Sequence, residues 1–138
     1  MAQTVLLGDI GRVITGKTPP KAEPDYWGDV LDFITPTDFA DSKHVTPKRQ
    51  LSTKGEKAMQ RIVCPANSVM VTCIGSDMGK SAISKRAFVS NQQINTLVVD
   101  KTKANPQFVY YLLKLNRPLL RKYAESGGST MPIINIFY

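Results

Sequence analysis

Short β-type runs dominate the first hundred residues of the chain. Residues 68–74 (SVMVTCI) are mostly apolar or β-branched and predict a buried strand. Residues 4–14 predict one strand, or two short ones interrupted at Gly8-Asp9. Residues 38–51 are polar and irregular. Further strands are predicted over residues 30–34, 82–89 and 94–99, the last two on either side of a polar run, Ser90-Asn91-Gln92-Gln93.

The hydrophobic period becomes helical after residue 104. Asn105 and Pro106 have the residue types of a helix N-cap and of the first helical position. A second helix is predicted over residues 118–125, with Gly127 to Thr130 as its stop. The two helices are predicted to share one apolar face, formed by Phe108, Tyr111, Leu112, Leu115 and Leu119.

A shorter helix is predicted earlier, from Ser52 or Thr53 to about Gln60, because Thr53 and Glu56 have the spacing of a capping box. Strands come first and helices late, without βαβ alternation. The sequence therefore predicts an α+β fold, a mixed, largely antiparallel β-sheet domain with a short mid-chain helix and C-terminal helices. A length of 138 residues predicts a single domain over 1–138.

The net charge of +7 is unevenly distributed along the chain. Residues 9–41 hold seven acids and three bases, whereas residues 43–61 hold six bases and one acid, and residues 79–122 hold nine bases and one acid. Such a distribution builds a positive potential over part of the surface and favours a polyanionic partner. An ordinary basic protein with solvated lysines explains the charge equally well.

Several kinds of site lack the residues that they need. Cys64 and Cys73 form no CxxC motif and the chain has one histidine, so neither a zinc site nor a disulfide framework is expected. Both cysteines are expected to be small buried hydrophobes in a reducing cytoplasm. The chain shows no apolar run of about 18 residues and no secretory signal at its start, so no membrane is expected as a partner.

Three motifs approach catalytic signatures without completing them. The loop Gly75-Ser76-Asp77-Met78-Gly79-Lys80-Ser81 is one residue shorter than a P-loop, and the residues that follow predict a strand instead of the required helix. Asn105-Pro106-Gln107-Phe108 is explained as a helix cap. His44 has no GxSxG or HExxH motif to pair with. We therefore predict no catalytic residues, no cofactor and no metal.

Several segments together resemble the target recognition domain of type I restriction–modification specificity subunits. Each segment is weak alone, but they follow in the expected order over nearly the whole chain. They are Leu7-Gly8-Asp9-Ile10, Ile14-Thr15-Gly16-Lys17-Thr18-Pro19, Tyr26-Trp27-Gly28, Phe33-Ile34-Thr35-Pro36-Thr37-Asp38-Phe39, Val71-Thr72-Cys73-Ile74-Gly75-Ser76 with Gly79-Lys80, Ser90-Asn91-Gln92-Gln93-Ile94-Asn95, Phe108-Val109-Tyr110-Tyr111-Leu112-Leu113 and Gly128-Ser129-Thr130-Met131-Pro132-Ile133-Ile134-Asn135.

The resemblance implies sequence-specific recognition of double-stranded DNA, without catalysis of its own. Subunits of this family carry two recognition domains held apart by long helices, each reading half of a split site. Through those helices they bind a methyltransferase subunit, and a motor–nuclease subunit completes the complex. The chain stops at Tyr138, about where a spacer helix would begin, so the spacer and the second domain are expected to be absent.

Cationic loop residues are expected to neutralise DNA phosphates, and amides, hydroxyls and arginine forks to read base edges. The phosphate candidates are Lys17, Lys48, Ser76, Lys80 and Lys85. The base-reading candidates are Thr37, Arg49, Arg86, Asn91, Gln92, Gln93, Ser129 and Thr130.

Two alternatives remain open at the level of sequence. Asn91, Gln92 and Gln93 could instead form an internal amide network that ties loops together. The whole chain could be a protein-interaction module that uses its basic face and C-terminal helices without binding DNA.

Overall fold

The structure is a computed structural model that describes residues 4–20, 22–40, 42–73, 78–125 and 135–137. Ten strands and three α-helices are found in these residues. The helices are α1 (Thr53–Ala58), α2 (Pro106–Leu115) and α3 (Arg117–Glu125). The predicted α+β class is confirmed. The strands are β1 (Thr4–Leu6), β2 (Gly11–Thr15), β3 (Trp27–Gly28), β4 (Leu31–Ile34), β5 (Arg49–Leu51), β6 (Val69–Thr72), β7 (Ser81–Ile83), β8 (Phe88–Ser90), β9 (Ile94–Val99) and β10 (Asn135–Phe137).

The first sheet has the order β2-β9-β6-β7 and is antiparallel throughout. Its strands are rich in β-branched residues, which suit a pleated and buried surface. Alternate residues of β6 face opposite sides, as the two-residue period of a strand requires. Val69 and Val71 join a core cluster with Leu113 of α2, whereas Met70 joins a second cluster on the other side.

The second sheet has the order β3-β5-β4-β8 and is mixed, because β8 runs parallel to β4. Ile34 and Phe88 of this sheet share a buried cluster with Met70 and Ile94 of the first sheet, so the two sheets pack together through that cluster. A third cluster, which includes Leu51 and Met59, lies on the other face of the second sheet.

The predicted single β-type segment at residues 82–89 is wrong, because it contains the ends of two strands from different sheets. β7 pairs with β6, whereas β8 pairs with β4. Residues 85–87 are exposed and make the turn by which the chain changes sheet. A sequence pattern of period two cannot reveal that change, because it is the same in either sheet.

The two-strand interpretation of residues 4–14 is confirmed. β1 ends at Leu6, a 3₁₀ turn covers Leu7–Asp9, and β2 begins at Gly11. A separate pairing joins β1 to β10, with Val5 opposite Ile136, and forms a third, two-stranded sheet. This pairing brings the two ends of the described chain together.

The N-cap of α1 is Ser52, whose Oγ accepts a hydrogen bond of 3.1 Å from the amide of Gly55. The capping box predicted for Thr53 and Glu56 is wrong by one residue. Thr53 is the first residue of the helix, and Ser52 before it is the N-cap. The N-cap predicted for α2 is confirmed: Asn105 Oδ1 accepts 2.8 Å from Gln107 N. The predicted stop after α3 lies outside the described residues.

The predicted apolar face of the C-terminal helices is wrong as a core face. Phe108, Tyr111 and Leu115 are 43%, 53% and 78% exposed. α2 packs on the first sheet through Val109 and Leu113, which are fully buried with Tyr110 and Leu120. Almost every residue of α2 is apolar, so its periodicity allows two faces, and only the position of the sheet selects one.

No helix of the described residues is long and apolar enough to cross a lipid bilayer.

Candidate nucleic-acid interface

Loops from both sheets meet along one border of the fold, which we call the polar edge. It consists of residues 15–18, 35–38, 72–73, 80 and 91–93, which end or follow β2, β4, β6 and β8 or precede β7 and β9. The amide of Lys17 donates to the carbonyl of Ser90 at 2.9 Å, and the amide of Asn91 donates to that of Ile34 at 3.0 Å. The first bond joins the two sheets at the polar edge, and the second extends the pairing of β8 with β4 in the second sheet.

Gly16 permits the close approach of two of these loops. A Cβ atom at this position would collide with the carbonyl oxygens of Ser90 and Asn91. Glycine is therefore required for the strand end of β2 to lie against the turn that follows β8. The neighbouring Lys17 is exposed at the polar edge as a result.

The three predicted amides are partly used to hold this edge together. Asn91 Oδ1 accepts 3.0 Å from the amide of Gln93, and Asn91 Nδ2 donates 3.3 Å to Gln93 Oε1. Thr18 Oγ1 donates 2.7 Å to Gln92 Oε1 across the loops. The internal amide network that the sequence left open is therefore present. Gln92 is exposed, and within the described residues no group binds its Nε2, which can donate outward.

Lys17 lies in a cleft of about 350 Å³ whose other cations come from the segment that ends α1. Lys57 and Arg61 line this cleft, and both are exposed. None of the three side chains has a hydrogen bond or ion pair within the described ranges. Lys57 and Arg61 are not among the residues predicted from the sequence, although their spacing of four residues would have placed them on one side of a helical segment.

Thr37 and Lys48 lie side by side at the polar edge. Lys48 Nζ donates 3.3 Å to the carbonyl of Thr37, whose hydroxyl contacts that of Thr35 at 2.8 Å. Asp38 is buried in the same turn, where Oδ2 accepts 2.9 Å from the amide of Thr35. The turn thus buries the carboxylate of Asp38 and leaves the ammonium group of Lys48 exposed.

Lys80 adjoins the end of β6 at this edge. Its amide donates 3.1 Å to Thr72 Oγ1, and its carbonyl accepts 2.9 Å from the amide of Thr72. Ser81 begins β7 immediately afterwards, so the strand predicted after the glycine-rich loop is confirmed. A P-loop needs a helix at this point, which this chain does not form.

Arg49 begins β5, directly after Lys48. Its guanidinium carbon lies 3.5 Å from the centroid of the Trp27 ring. Arg49 pairs with Phe33, one residue before the end of β4, which places it beside the polar edge.

Two further predicted residues lie away from this edge. Lys85 and Arg86 lie in the turn at the opposite ends of β7 and β8. Arg86 Nε and Nη2 donate to both carboxylate oxygens of Asp32, at 3.1 and 2.7 Å. A guanidinium held in this way cannot offer the same fork to a guanine without breaking the ion pair. Ser76, Ser129 and Thr130 lie outside the described residues.

Exposed acids lie away from the polar edge on the first sheet. Asp9 precedes β2 and Asp100 follows β9, at the far ends of the strands that carry Lys17 and Gln92. Five paired residues separate the two ends, about 13–17 Å at the rise of a strand. Hydrogen bonds from Thr102 lower the pKa of Asp100, so this carboxylate stays ionised, and it shares this end of the sheet with the cations Arg12 and Lys103.

The two cysteines are not activated thiols. Burial raises the pKa of Cys64 to about 11, and burial also raises the pKa of the half-buried Cys73. Both groups are therefore protonated near neutral pH and resemble small hydrophobes more than nucleophiles.

Comparisons with known proteins agree on one family. A family model described as "Type I restriction modification DNA specificity domain" matches residues 2–136. The chain is 32% identical over 133 residues to the type I restriction enzyme HindI specificity subunit of Haemophilus influenzae, covering 94% of the chain and 28% of that subunit. It is 30% identical over 129 residues to the MjaIX specificity subunit of Methanocaldococcus jannaschii, covering 90% and 29%.

Similarity of structure extends over the same range. The crystal structure of an HsdS subunit from Thermoanaerobacter tengcongensis superposes with a TM-score of 0.73 at 19% identity, covering 99% of this chain and 32% of that one. The chain thus spans less than a third of the curated relatives that it matches.

Proposed function

The chain belongs to the family of type I restriction–modification DNA specificity domains, and on that premise we propose that it is a single target recognition domain that reads double-stranded DNA through its polar edge. It acts as the specificity subunit of a type I complex, or as part of one, and directs methylation and restriction without catalysing either. The family relationship favours this function over a protein-interaction module that does not bind DNA.

One observation supports the polar edge as the DNA-binding surface. Loops that are distant in sequence bring exposed cations and amide or hydroxyl groups to one border, whereas the opposite border of the same sheet mixes the acids Asp9 and Asp100 with the cations Arg12 and Lys103. Duplex DNA offers phosphates for the cations and base edges for the amides. A surface with one sign of charge also steers the polyanion to that side of the protein.

Affinity and specificity are divided between two groups of residues. Lys17, Lys57 and Arg61 hold the phosphates of one strand in their shared cleft, with Lys48 and Lys80 further along the edge. Gln92 and Thr37 face the bases, and the bonds within the Asn91 to Gln93 network keep the Gln92 side chain in place. Because Arg86 is bound to Asp32, we leave it out of the base-reading set.

The rest of the complex follows from the same premise. A methyltransferase subunit and a motor–nuclease subunit are the partners, reached through a spacer helix, in the cytoplasm. The short share of the relatives' length that this chain spans is in keeping with one recognition domain out of a longer subunit.

The experiment compares two double variants with equal loss of charge. Lys57→Ala with Arg61→Ala removes two cations from the cleft, and Lys101→Ala with Lys103→Ala removes two from the far end of the sheet. Fluorescence anisotropy with a labelled duplex at several salt concentrations should give a salt slope that is lower by about 2 for the first variant, because each phosphate contact contributes about 0.9. The second should keep the wild-type slope.

Two results would contradict the proposal. Equal losses of affinity and slope in both variants would show that overall charge matters and the polar edge does not. A wild-type chain that binds no duplex at low salt would overturn DNA recognition by this domain.

A further inference from the structure

The guanidinium of Arg49 stacks on the ring of Trp27. The guanidinium carbon lies 3.5 Å from the ring centroid, a stacking distance. Trp27 is itself held by Phe33, whose ring meets it edge to face at 5.1 Å and 88°. Trp27 pairs with Leu51 and Arg49 with Phe33, so the side chains meet diagonally on one face of the second sheet.

Stacking of this kind uses the face of the guanidinium and leaves its N–H groups directed outward in the plane. Within the described ranges, the side chain of Arg49 makes no hydrogen bond or ion pair, and it is exposed. Arg86 is the useful contrast, because its Nε and Nη2 are bound to Asp32. Of these two arginines, only Arg49 has its whole fork of donors available to a ligand.

The position of Arg49 suits a base more than a phosphate. The residue begins an internal strand of the second sheet and pairs with Phe33 of β4, so its backbone is held in place by the sheet. Stacking on Trp27 also restricts the Arg49 side chain, which would otherwise lose much rotamer freedom on binding. A phosphate contact needs only charge, which the flexible lysines beside it already provide. A rigid planar fork matches the O6 and N7 acceptors that guanine presents in the major groove.

We infer that Arg49 reads a guanine of the target site and that Trp27 is the positioning residue that holds its guanidinium in the plane of the base. The inference rests on the proposed function, because it needs the polar edge to face the major groove. Lys48, which donates to the carbonyl of Thr37 next to it, would then contact the adjoining phosphate.

The test is selection of bound duplexes from a randomised library by the full chain, followed by sequencing. The wild-type chain should enrich a sequence with guanine at one position that Arg49 controls. Arg49→Lys keeps the charge but loses the planar fork, so discrimination at that position should fall by roughly tenfold, the order expected for one bidentate contact. Preferences at other positions and the salt slope should be unchanged.

The positioning role of Trp27 is tested with two further variants. Trp27→Leu removes the aromatic face and should weaken the same guanine preference, whereas Trp27→Phe keeps a ring and should restore most of it. Because Trp27 packs against a core cluster, circular dichroism and thermal unfolding must first show that each variant is folded. Lys48→Ala is the matched control and should weaken binding to all sequences alike.

The possible failures are distinguishable. If the wild-type chain enriches a sequence and Arg49→Lys enriches it equally well, Arg49 does not read a base and the inference is wrong, although the proposed function stands. If Arg49→Lys loses the preference but Trp27→Leu retains it, the role assigned to Trp27 is wrong. If the wild-type chain binds no duplex at all, the proposed function fails and the inference fails with it.

Discussion

Replacing Arg86 with alanine should destabilise the fold without changing base preference. The Asp32 side chain is 7% exposed and its carboxylate accepts two hydrogen bonds from Arg86, whose own side chain is 71% exposed. Breaking a fully buried ion pair costs about 3–5 kcal/mol, because the remaining charge loses its partner. Water can reach this pair from the arginine side, so we expect about 2 kcal/mol, near the value of a charge-assisted hydrogen bond.

The assay is urea unfolding of the wild-type chain and the variant, supported by a melting temperature that should fall by roughly 8 °C for a domain of this size. Lys85→Ala is the matched control, since Lys85 is the adjacent exposed cation and has no partner within the described part of the chain. It should change stability by less than about 0.5 kcal/mol. Adding Asp32→Asn to Arg86→Ala should recover part of the loss, because the unpaired buried charge is removed.

The result that would refute this reasoning is a stable Arg86→Ala protein with relaxed preference at one base pair. Arg86 would then be a base-reading residue, and its ion pair with Asp32 would be a resting contact that DNA replaces. Equal destabilisation by Arg86→Ala and Lys85→Ala would also contradict it, since loss of charge alone would account for both.

Four further predictions concern the core, the helices and the cysteines. Leu113→Ala should cost about 2–5 kcal/mol in urea unfolding because Leu113 is fully buried, whereas Leu115→Ala on the exposed side of α2 should cost less than about 0.5; equal losses would mean that α2 packs differently. Asn105→Ala should cost about 1 kcal/mol and Asn105→Asp much less, since aspartate also caps a helix. Because burial raises the pKa of Cys64 to about 11, iodoacetamide at pH 8 should label Cys73 first, as mass spectrometry can show. The same raised pKa stabilises the fold below the pKa of the unfolded thiol, and this contribution should be lost as the pH rises from about 9 through 11.

Local features of the fold could be predicted because their causes are local. Asn105 caps α2 through a bond to an amide two residues away, and β7 follows the glycine-rich loop because its residues favour a strand. Prediction from local pattern failed where the sequence is compatible with two arrangements. The apolar residues of α2 allow either face to be buried, and the sheet selects Leu113 over Leu115. The turn that sends residues 82–89 into two sheets is decided by which strands lie beside β7 and β8.

The candidate site was also predictable only in part. The types of residue that suit DNA were visible in the sequence, and most of those that the structure describes lie at the polar edge. Arg49 and Arg86 could not be told apart, because what separates them is a partner 22 residues away in one case and 54 in the other: Trp27 stacks on the first, and Asp32 binds the second. Lys57 and Arg61 gained their importance only from Lys17, which the fold brings from a distant segment.

The sequence alone determined the α+β class, the family and the chemical character of the loops, since composition, short-range pattern and ordered motifs carry that information. Only the tertiary structure decided which cations are available to a ligand, which are bound to acids and which apolar face is buried. The physical reason is that the role of a charged or apolar side chain depends on what surrounds it, and those surroundings come from parts of the chain that local pattern does not connect.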